Sequence, residues 1–362
     1  MGVGILLSLV AAEFFLRIFN PQPILYVQGH PLTVSAHVPD FDGVVHSLYE
    51  KGLKKRVYFN AQGIRRPLGS RQNISYQRQP GSSYRIFFLG DSMVEAAQVD
   101  YEESMMYLLE KKLNTQAADR RYEVLSMGVG GWDQANELEY YKIEGSRFKP
   151  DMLVLFVFPH NDLDGNRVTW SSVKPIYKGK EDSFYVPRSW PQKLKIFLGS
   201  HSHFYSFLRR VSDTYTPEEQ PGTFRRLLIR WRLTMRGWQE KHQIANALKT
   251  FASNAYPPER EWEVFSELLS EFQRLTAASN TRLLLVAVPW KESASPENLR
   301  RMKGVETVAE AAGISLVRLD EEFKKRGNVS DYFYKSDKHM NARGHACVAQ
   351  ILAEKVFEKV YS

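Results

Sequence analysis

The chain has 362 residues, 43% hydrophobic and 25% charged, the composition of an ordinary globular protein with room for one sizeable core or one domain carrying insertions. Its formal net charge of +8 favours anionic surfaces, but no zinc finger, RNA-recognition signature or helix-turn-helix pattern accompanies the charge, so nucleic acid is not an expected partner. The single cysteine, Cys347, excludes an internal disulfide framework and a cysteine-based metal cluster, and its helical surroundings predict a buried core thiol.

The run VGILLSLVAAEFFLRIF, Val3 to Phe19, is apolar apart from Ser8, Glu13 and Arg17. A membrane-spanning helix takes ~20 mostly apolar residues, so residues 1–20 are expected to form a single-pass membrane anchor. A cleaved signal peptide is the rival, weakened by the missing basic n-region and a poor cleavage site; a soluble core helix is the third reading. Glu13 and Arg17 stand four apart and can pair on one helix face. Lys51, Lys54, Lys55 and Arg56 follow, and positive charge alone would hold that side in the cytoplasm. Residues 21–80 lack strong periodicity. NPQPILYVQGHPLTV reads as a stalk, and YFNAQGIRRP as an ordered loop leading into the core.

From residue 81 the pattern changes. Short apolar runs at 86–90, 122–128, 152–158, 282–289 and 314–320 predict strands, and amphipathic stretches at 102–114, 134–148, 259–279 and 342–360 predict helices. Alternation of the two implies a three-layer α/β/α domain over 81–362 around a central, mostly parallel five-stranded sheet. The stretch 163–254 interrupts this rhythm as an insertion. It carries Trp170, Tyr177, Tyr185 and Trp190, then a basic helical run in which Arg225, Arg226, Arg230, Arg232 and Arg236 interleave with Leu, Ile and Trp. That run is either a solvated helix with one buried face or a lid or membrane-surface element.

Chemistry gathers where strands end. RIFFLGDSMVEAAQVD places Gly90, Asp91 and Ser92 just after the first core strand, at the carboxyl edge where ligands bind in open parallel sheets. A serine hydroxyl becomes a nucleophile only beside a base that a third group orients. YKSDKHMNARGH supplies Asp337 and His339 after the last strand. An oxyanion site needs further donors. SMGVGGWDQ offers uncovered glycine amides, and FPHNDL offers the Asn161 side-chain amide. Asp133 and Asp162 read as loop-capping carboxylates.

In this order GDS, GVGG, HND and DKHMN resemble the SGNH (GDSL-like) hydrolases, a family with a flavodoxin-like sheet, over roughly 85–165 and 280–360. The N-terminal apolar run followed by NAQGIRRP resembles the membrane-anchored bacterial members. The resemblance implies Ser92 as nucleophile and oxyanion donor, His339 as base and Asp337 as its orienting partner. It implies Gly131 as glycine donor, with Gly130 able to shift into that role, and Asn161 as amide donor; Asp91 is structural. Two positions depart from the family pattern. Pro159-His160-Asn161-Asp162 replaces Gly-x-Asn-Asp, and Asp-x-His replaces the commoner Asp-x-x-His. The shorter spacing resembles polysaccharide O-acetyl esterases and transferases.

The leading expectation is therefore a serine acyl-ester hydrolase or O-acyltransferase needing no metal or organic cofactor. Its expected substrate is an acylated carbohydrate of a cell-surface or exported polysaccharide, met outside the cytoplasm. His160, Trp170 and Trp190 are candidate substrate contacts, with Tyr177 and Tyr185 beside them. An inactive SGNH-like polysaccharide-binding or scaffold protein is the alternative, and nucleic-acid binding through the Arg-rich run a third reading. The sequence carries no signal for an oligomeric state.

Overall fold

A computed structural model describes residues 2–173, 190–213 and 260–361, apart from 21, 23, 25, 31–32, 48–49, 51, 71, 78–82 and 118–119 within those ranges. It divides into two units, Met1–Gln28 with Pro187–Ser253, and Gly29–Val186 with Asn254–Ser362. The Arg-rich run, Tyr177 and Tyr185 lie outside the described residues.

In the smaller unit, helix α1 (Gly2–Phe19) accompanies two later helices, Trp190–His201 and His203–Asp213. The membrane anchor expected over 1–20 is not supported, because among the described residues no helix is long and apolar enough to cross a membrane. The Glu13–Arg17 pair forms as expected, at 2.7 Å, but each partner also serves a neighbouring helix. Glu13 accepts hydrogen bonds from Ser202 Oγ (2.8 Å), His203 N (2.9 Å) and Phe204 N (2.8 Å), which caps the helix starting at His203. Burial pushes the Glu13 carboxyl up, but these donors and Arg17 outweigh it and hold it down at about 2. Arg17 Nη2 donates to the His201 carbonyl at 2.6 Å, an acceptor left over at the preceding helix end.

Short strands come next in the chain. β1 (Val27–His30) and β2 (Val34–His37) form a two-stranded sheet; β3 (Asp42–His46), β4 (Lys54–Phe59) and β5 (Arg65–Arg66) form a three-stranded antiparallel one. These strands lie in the stretch read from sequence as a stalk. The five core strands follow as β6 (Ser83–Gly90), β7 (Arg121–Gly128), β8 (Met152–Val157), β9 (Arg282–Ala287) and β10 (Ser315–Arg318). They make one sheet in the order β10-β9-β8-β6-β7, with every pairing parallel. The expected three-layer fold and its parallel sheet are thus borne out. β8 is buried throughout and β6 at seven of its eight positions, as strands covered on both faces by helices require. The run at 314–320 is cut short because Leu319 and Asp320 already open a helix, Leu319–Arg326.

Helices supply the outer layers. Met105–Gln116 buries Met105, Met106, Leu109 and Leu113, and Glu261–Ala278 buries Val264, Phe265, Leu268, Leu269 and Phe272, each a stripe of helical period. Ala342–Tyr361 buries Val348, Ile351, Leu352 and Val356, while Cys347 packs half-buried against the same core. The helix expected over 134–148 ends at Ile143 and gives way to a 3₁₀ turn, Gly145–Phe148. β6 is the first core strand in the chain yet lies inside the sheet, with β7 on one side and β8 on the other. Connections therefore diverge at its carboxyl end, the geometry that opens a crevice in such sheets.

Candidate active site

Ser92 leaves β6 at that crevice. Asp91 caps the short helix Ser92–Glu95, accepting the Met93 N–H at 2.8 Å. Two glycines let this helix lie on the strand ends. A Cβ on Gly90 would stand 2.5 Å from Val94 Cγ2, and one on Gly128 would stand 2.4 Å from Glu95 N and 2.6 Å from Asp91 O. Any side chain at Gly128 would meet backbone.

The segment before the last helix brings His339 to the same place. His339 Nε2 lies 2.8 Å from Ser92 Oγ, and His339 Nδ1 lies 2.5 Å from Asp337 Oδ1. The His339 N–H also donates to Asp337 Oδ1 at 3.1 Å, so the Asp-x-His spacing lets one carboxylate hold both backbone and ring. Ser47 Oγ donates to the other oxygen, Asp337 Oδ2, at 2.6 Å. Burial raises the Asp337 carboxyl, but hydrogen bonds from His339 and Ser47 prevail and hold it at about 2. An ionised carboxylate on Nδ1–H fixes the tautomer in which Nε2 faces the serine. All three groups are nearly enclosed, with Ser92 at 9%, His339 at 8% and Asp337 at 3% exposure.

The two donor loops flank the serine. Val129 to Trp132 make a turn closed by Trp132 N on the Val129 carbonyl at 3.0 Å, with Gly131 at φ +83°, where a side chain is strained. A Cβ on Gly130 would lie 3.8 Å from Ser92 Cβ, so the turn rests against the serine. The Gly130 N–H is turned to Glu95 Oε1 at 3.4 Å. Neither Gly131 nor Ser92 spends its N–H on a partner among the described residues. Asn161 Nδ2 donates to Asp91 Oδ2 at 3.2 Å, which ties the β8 loop to the β6 loop. Pro159 opens the helix Pro159–Val173, in whose first turn Asn161 sits.

Asp133 caps the helix Gln134–Ile143 through Ala135 N (3.0 Å) and Asn136 N (3.1 Å). Asp162 accepts from Phe158 N (2.8 Å) and Gln134 Nε2 (2.6 Å). Both hold loops together, as expected of capping carboxylates. Burial pushes the Asp162 and Glu137 carboxyls well above their usual range, and repulsion from neighbouring carboxylates pushes the same way.

Of the candidate substrate contacts, His160 lies beside the site loops, half-buried. Its Nε2 faces Asn298 Oδ1 at 3.2 Å and its ring lies 4.7 Å from that of Trp290. Burial lowers its pKa, which favours the neutral ring. Trp170 belongs to the helix Pro159–Val173, but its side chain lies outside the described residues. Trp190 opens a helix of the smaller unit and is 72% exposed.

Sequence reading missed Ser47, His37, Arg65 and Glu95. Glu95 carried a readable signal, a carboxylate among apolar residues three places after Ser92. The others sit in short strands or turns with no periodicity to mark them.

Fold and loops together bring the serine, glycine, asparagine and histidine blocks to strand ends of one parallel sheet, as the resemblance to the SGNH hydrolases implies. Residues 253–361, which hold Asp337 and His339, match the family described as "SGNH hydrolase-like domain, acetyltransferase AlgX". No curated protein matches the chain. Among solved structures it is similar to TesA at 11% identity, covering 75% of this chain and 97% of that one with a TM-score of 0.42. It is similar to the acetyl xylan esterase AlAXEase at 13% identity over 76% and 99%, TM-score 0.39. It is also similar to the psychrotrophic esterase EstA from Pseudoalteromonas sp. at 11% identity over 77% and 100%, TM-score 0.39. Likeness at that level says nothing about activity.

Proposed function

We propose that the larger unit is a serine acyl-ester enzyme, a hydrolase or an O-acyltransferase, with Ser92, His339 and Asp337 as its triad. The observation that carries this reading is the unbroken line from Ser92 Oγ to His339 Nε2 at 2.8 Å and from His339 Nδ1 to Asp337 at 2.5 Å. Ser92 Oγ attacks the ester carbonyl carbon while its proton passes to Nε2. The carbonyl oxygen becomes an oxyanion, for which the Ser92 and Gly131 N–H groups are the backbone donors. An amide nitrogen carries two protons; one from Asn161 holds Asp91, which leaves the second for the oxyanion. Collapse breaks the ester bond, and the leaving alkoxide takes the proton from His339. Water or a sugar hydroxyl then attacks the acyl-serine, giving its proton to Nε2, and Ser92 recovers that proton as the acid or new ester departs. No step calls for a cofactor.

The description of the matched family as an acetyltransferase favours acetyl as the acyl group. The block order and the Asp-x-His spacing favour a carbohydrate hydroxyl, in an exported or cell-surface polysaccharide, as its bearer. The domain then works outside the cytoplasm. Turnover of short-chain aryl esters by the wild type, and its loss in folded Ser92→Ala, tests the reading. A wild type that neither turns over such esters nor labels at Ser92 with a fluorophosphonate would overturn it in favour of an inert binding domain.

A further inference from the structure

The segment before the core domain reaches into the site. His37, at the end of β2 and 1% exposed, places Nε2 2.8 Å from Glu95 Oε1. Its Nδ1 donates to the Gly63 carbonyl at 2.7 Å, and its ring stacks on Phe59 with centroids 3.7 Å apart. Carbonyl, carboxylate and stacked ring hold the imidazole on three sides. Glu95 is 2% exposed and closes the helix that Ser92 opens. The same oxygen that meets His37, Oε1, faces the Gly130 N–H at 3.4 Å. Glu95 thus stands between a histidine from the N-terminal strands and the glycine turn beside Ser92. Arg65 grips the far end of the same short helix, donating to the carbonyls of Glu95 (3.1 Å), Ala96 and Val99 (2.5 Å).

A buried carboxylate without a partner would be expelled or neutralised. Here the partner comes from a separate strand, and the oxygen it meets is also turned to the loop that carries the proposed oxyanion donor. We propose that His37 and Glu95 are a positioning pair for acyl transfer. His37 locks the Glu95 carboxylate, and Glu95 fixes the Gly130–Gly131 turn at the distance from Ser92 that an oxyanion requires. Neither residue touches substrate; they act through the turn. The inference rests on the proposed acyl-ester chemistry and adds residues 34–63 to the machinery that performs it. A donor held in place before the oxyanion forms stabilises it without reorganisation, so loosening the turn lowers the chemical rate rather than substrate binding.

The test uses the full chain and a short-chain aryl acetate, with Ser92→Ala as the control. Glu95→Gln keeps the shape of the side chain and removes its charge. His37→Gly opens a hole that exogenous imidazole fits. Each variant is expected to melt cooperatively and to lose about tenfold to a hundredfold in kcat with KM within about twofold, less than the loss of an oxyanion donor itself. Imidazole is expected to restore kcat in His37→Gly, which a scaffold defect elsewhere would not show. If Ser92→Ala is inactive while folded Glu95→Gln keeps wild-type kcat, the function stands and this inference falls. A Glu95→Gln chain that fails to fold also overturns it, because the pair then serves stability alone. Wild-type turnover in Ser92→Ala removes the proposed function itself.

Discussion

Ser47 Oγ donates to Asp337 Oδ2 at 2.6 Å across 290 positions of chain, so the acid of the proposed triad is held from the N-terminal strands as well as by His339. Its carboxyl sits at about 2, below the ordinary 3.8. A depressed folded value means stability that is present above pH ~4 and lost as pH falls through ~2. Ser47→Ala should move that loss to higher pH and lower stability by about 1–2 kcal/mol at neutral pH. Urea unfolding from pH 2 to 7 reads both, and a superimposable profile for the variant would remove Ser47 from the network.

Asn161→Ala should fold, because the amide lies at the edge of the core, and should lower ester turnover by roughly 10²–10³, the loss typical of one oxyanion donor. It also takes the Nδ2 donor from Asp91, whose carboxyl burial already pushes up despite the Met93 and Asn161 donors. Asn161→Asp, measured beside it, separates donor loss from vacancy. Unchanged turnover in folded Asn161→Ala would end its role.

Arg65→Met should cost about 3 kcal/mol or more, since the three carbonyls it serves are left without their donor. Burial lowers the Arg65 guanidinium only to about 10, so it remains charged at neutral pH. Thermal melting of the full chain measures the loss. A melting temperature within 1–2 °C of wild type would show that water replaces the guanidinium.

Gly128→Ala and Gly131→Ala should differ sharply. At Gly128 the new carbon meets the backbone of Glu95 and Asp91 within 2.6 Å, and folded protein should be lost or destabilised by about 3 kcal/mol. At Gly131 nothing lies within 4 Å and only the φ of +83° resists, a cost of about 1–2 kcal/mol. Gly131→Ala should therefore fold and serve as a probe of the turn's effect on turnover. Equal stability of the two variants would contradict the close approach at Gly128.

The strands of the core were legible because buried parallel strands are near-continuous apolar runs, and IFFL, MLVLFV and LLLVA admit few other readings. Ser92 was legible because it directly follows such a run; Asp337 and His339 stand further on, beyond the helix Leu319–Arg326 and the 3₁₀ turn Val329–Tyr332, and the structure brings His339 Nε2 to 2.8 Å from Ser92 Oγ. The stretch 34–66 was not. Its strands are two to six residues long, too short for alternation to show, and its buried His37, Asn60 and Arg65 look like surface residues until Glu95 and the carbonyls they meet are known. α1 is a different case. Composition recorded its apolar side chains, while the duties of Glu13 and Arg17 depend on helices nearly 190 positions away.

The proposed nucleophile and its base are 247 positions apart in the chain. At synthesis rates of roughly 5–20 residues/s, Ser92 emerges ~12–50 s before His339 exists. Through that interval the serine has neither base nor acid, and an ordinary hydroxyl at the end of a half-built sheet is inert towards esters. On the proposed chemistry the nascent chain cannot attack acyl groups it meets during its own production, and reactivity arrives only when the segment carrying His339 closes over the crevice.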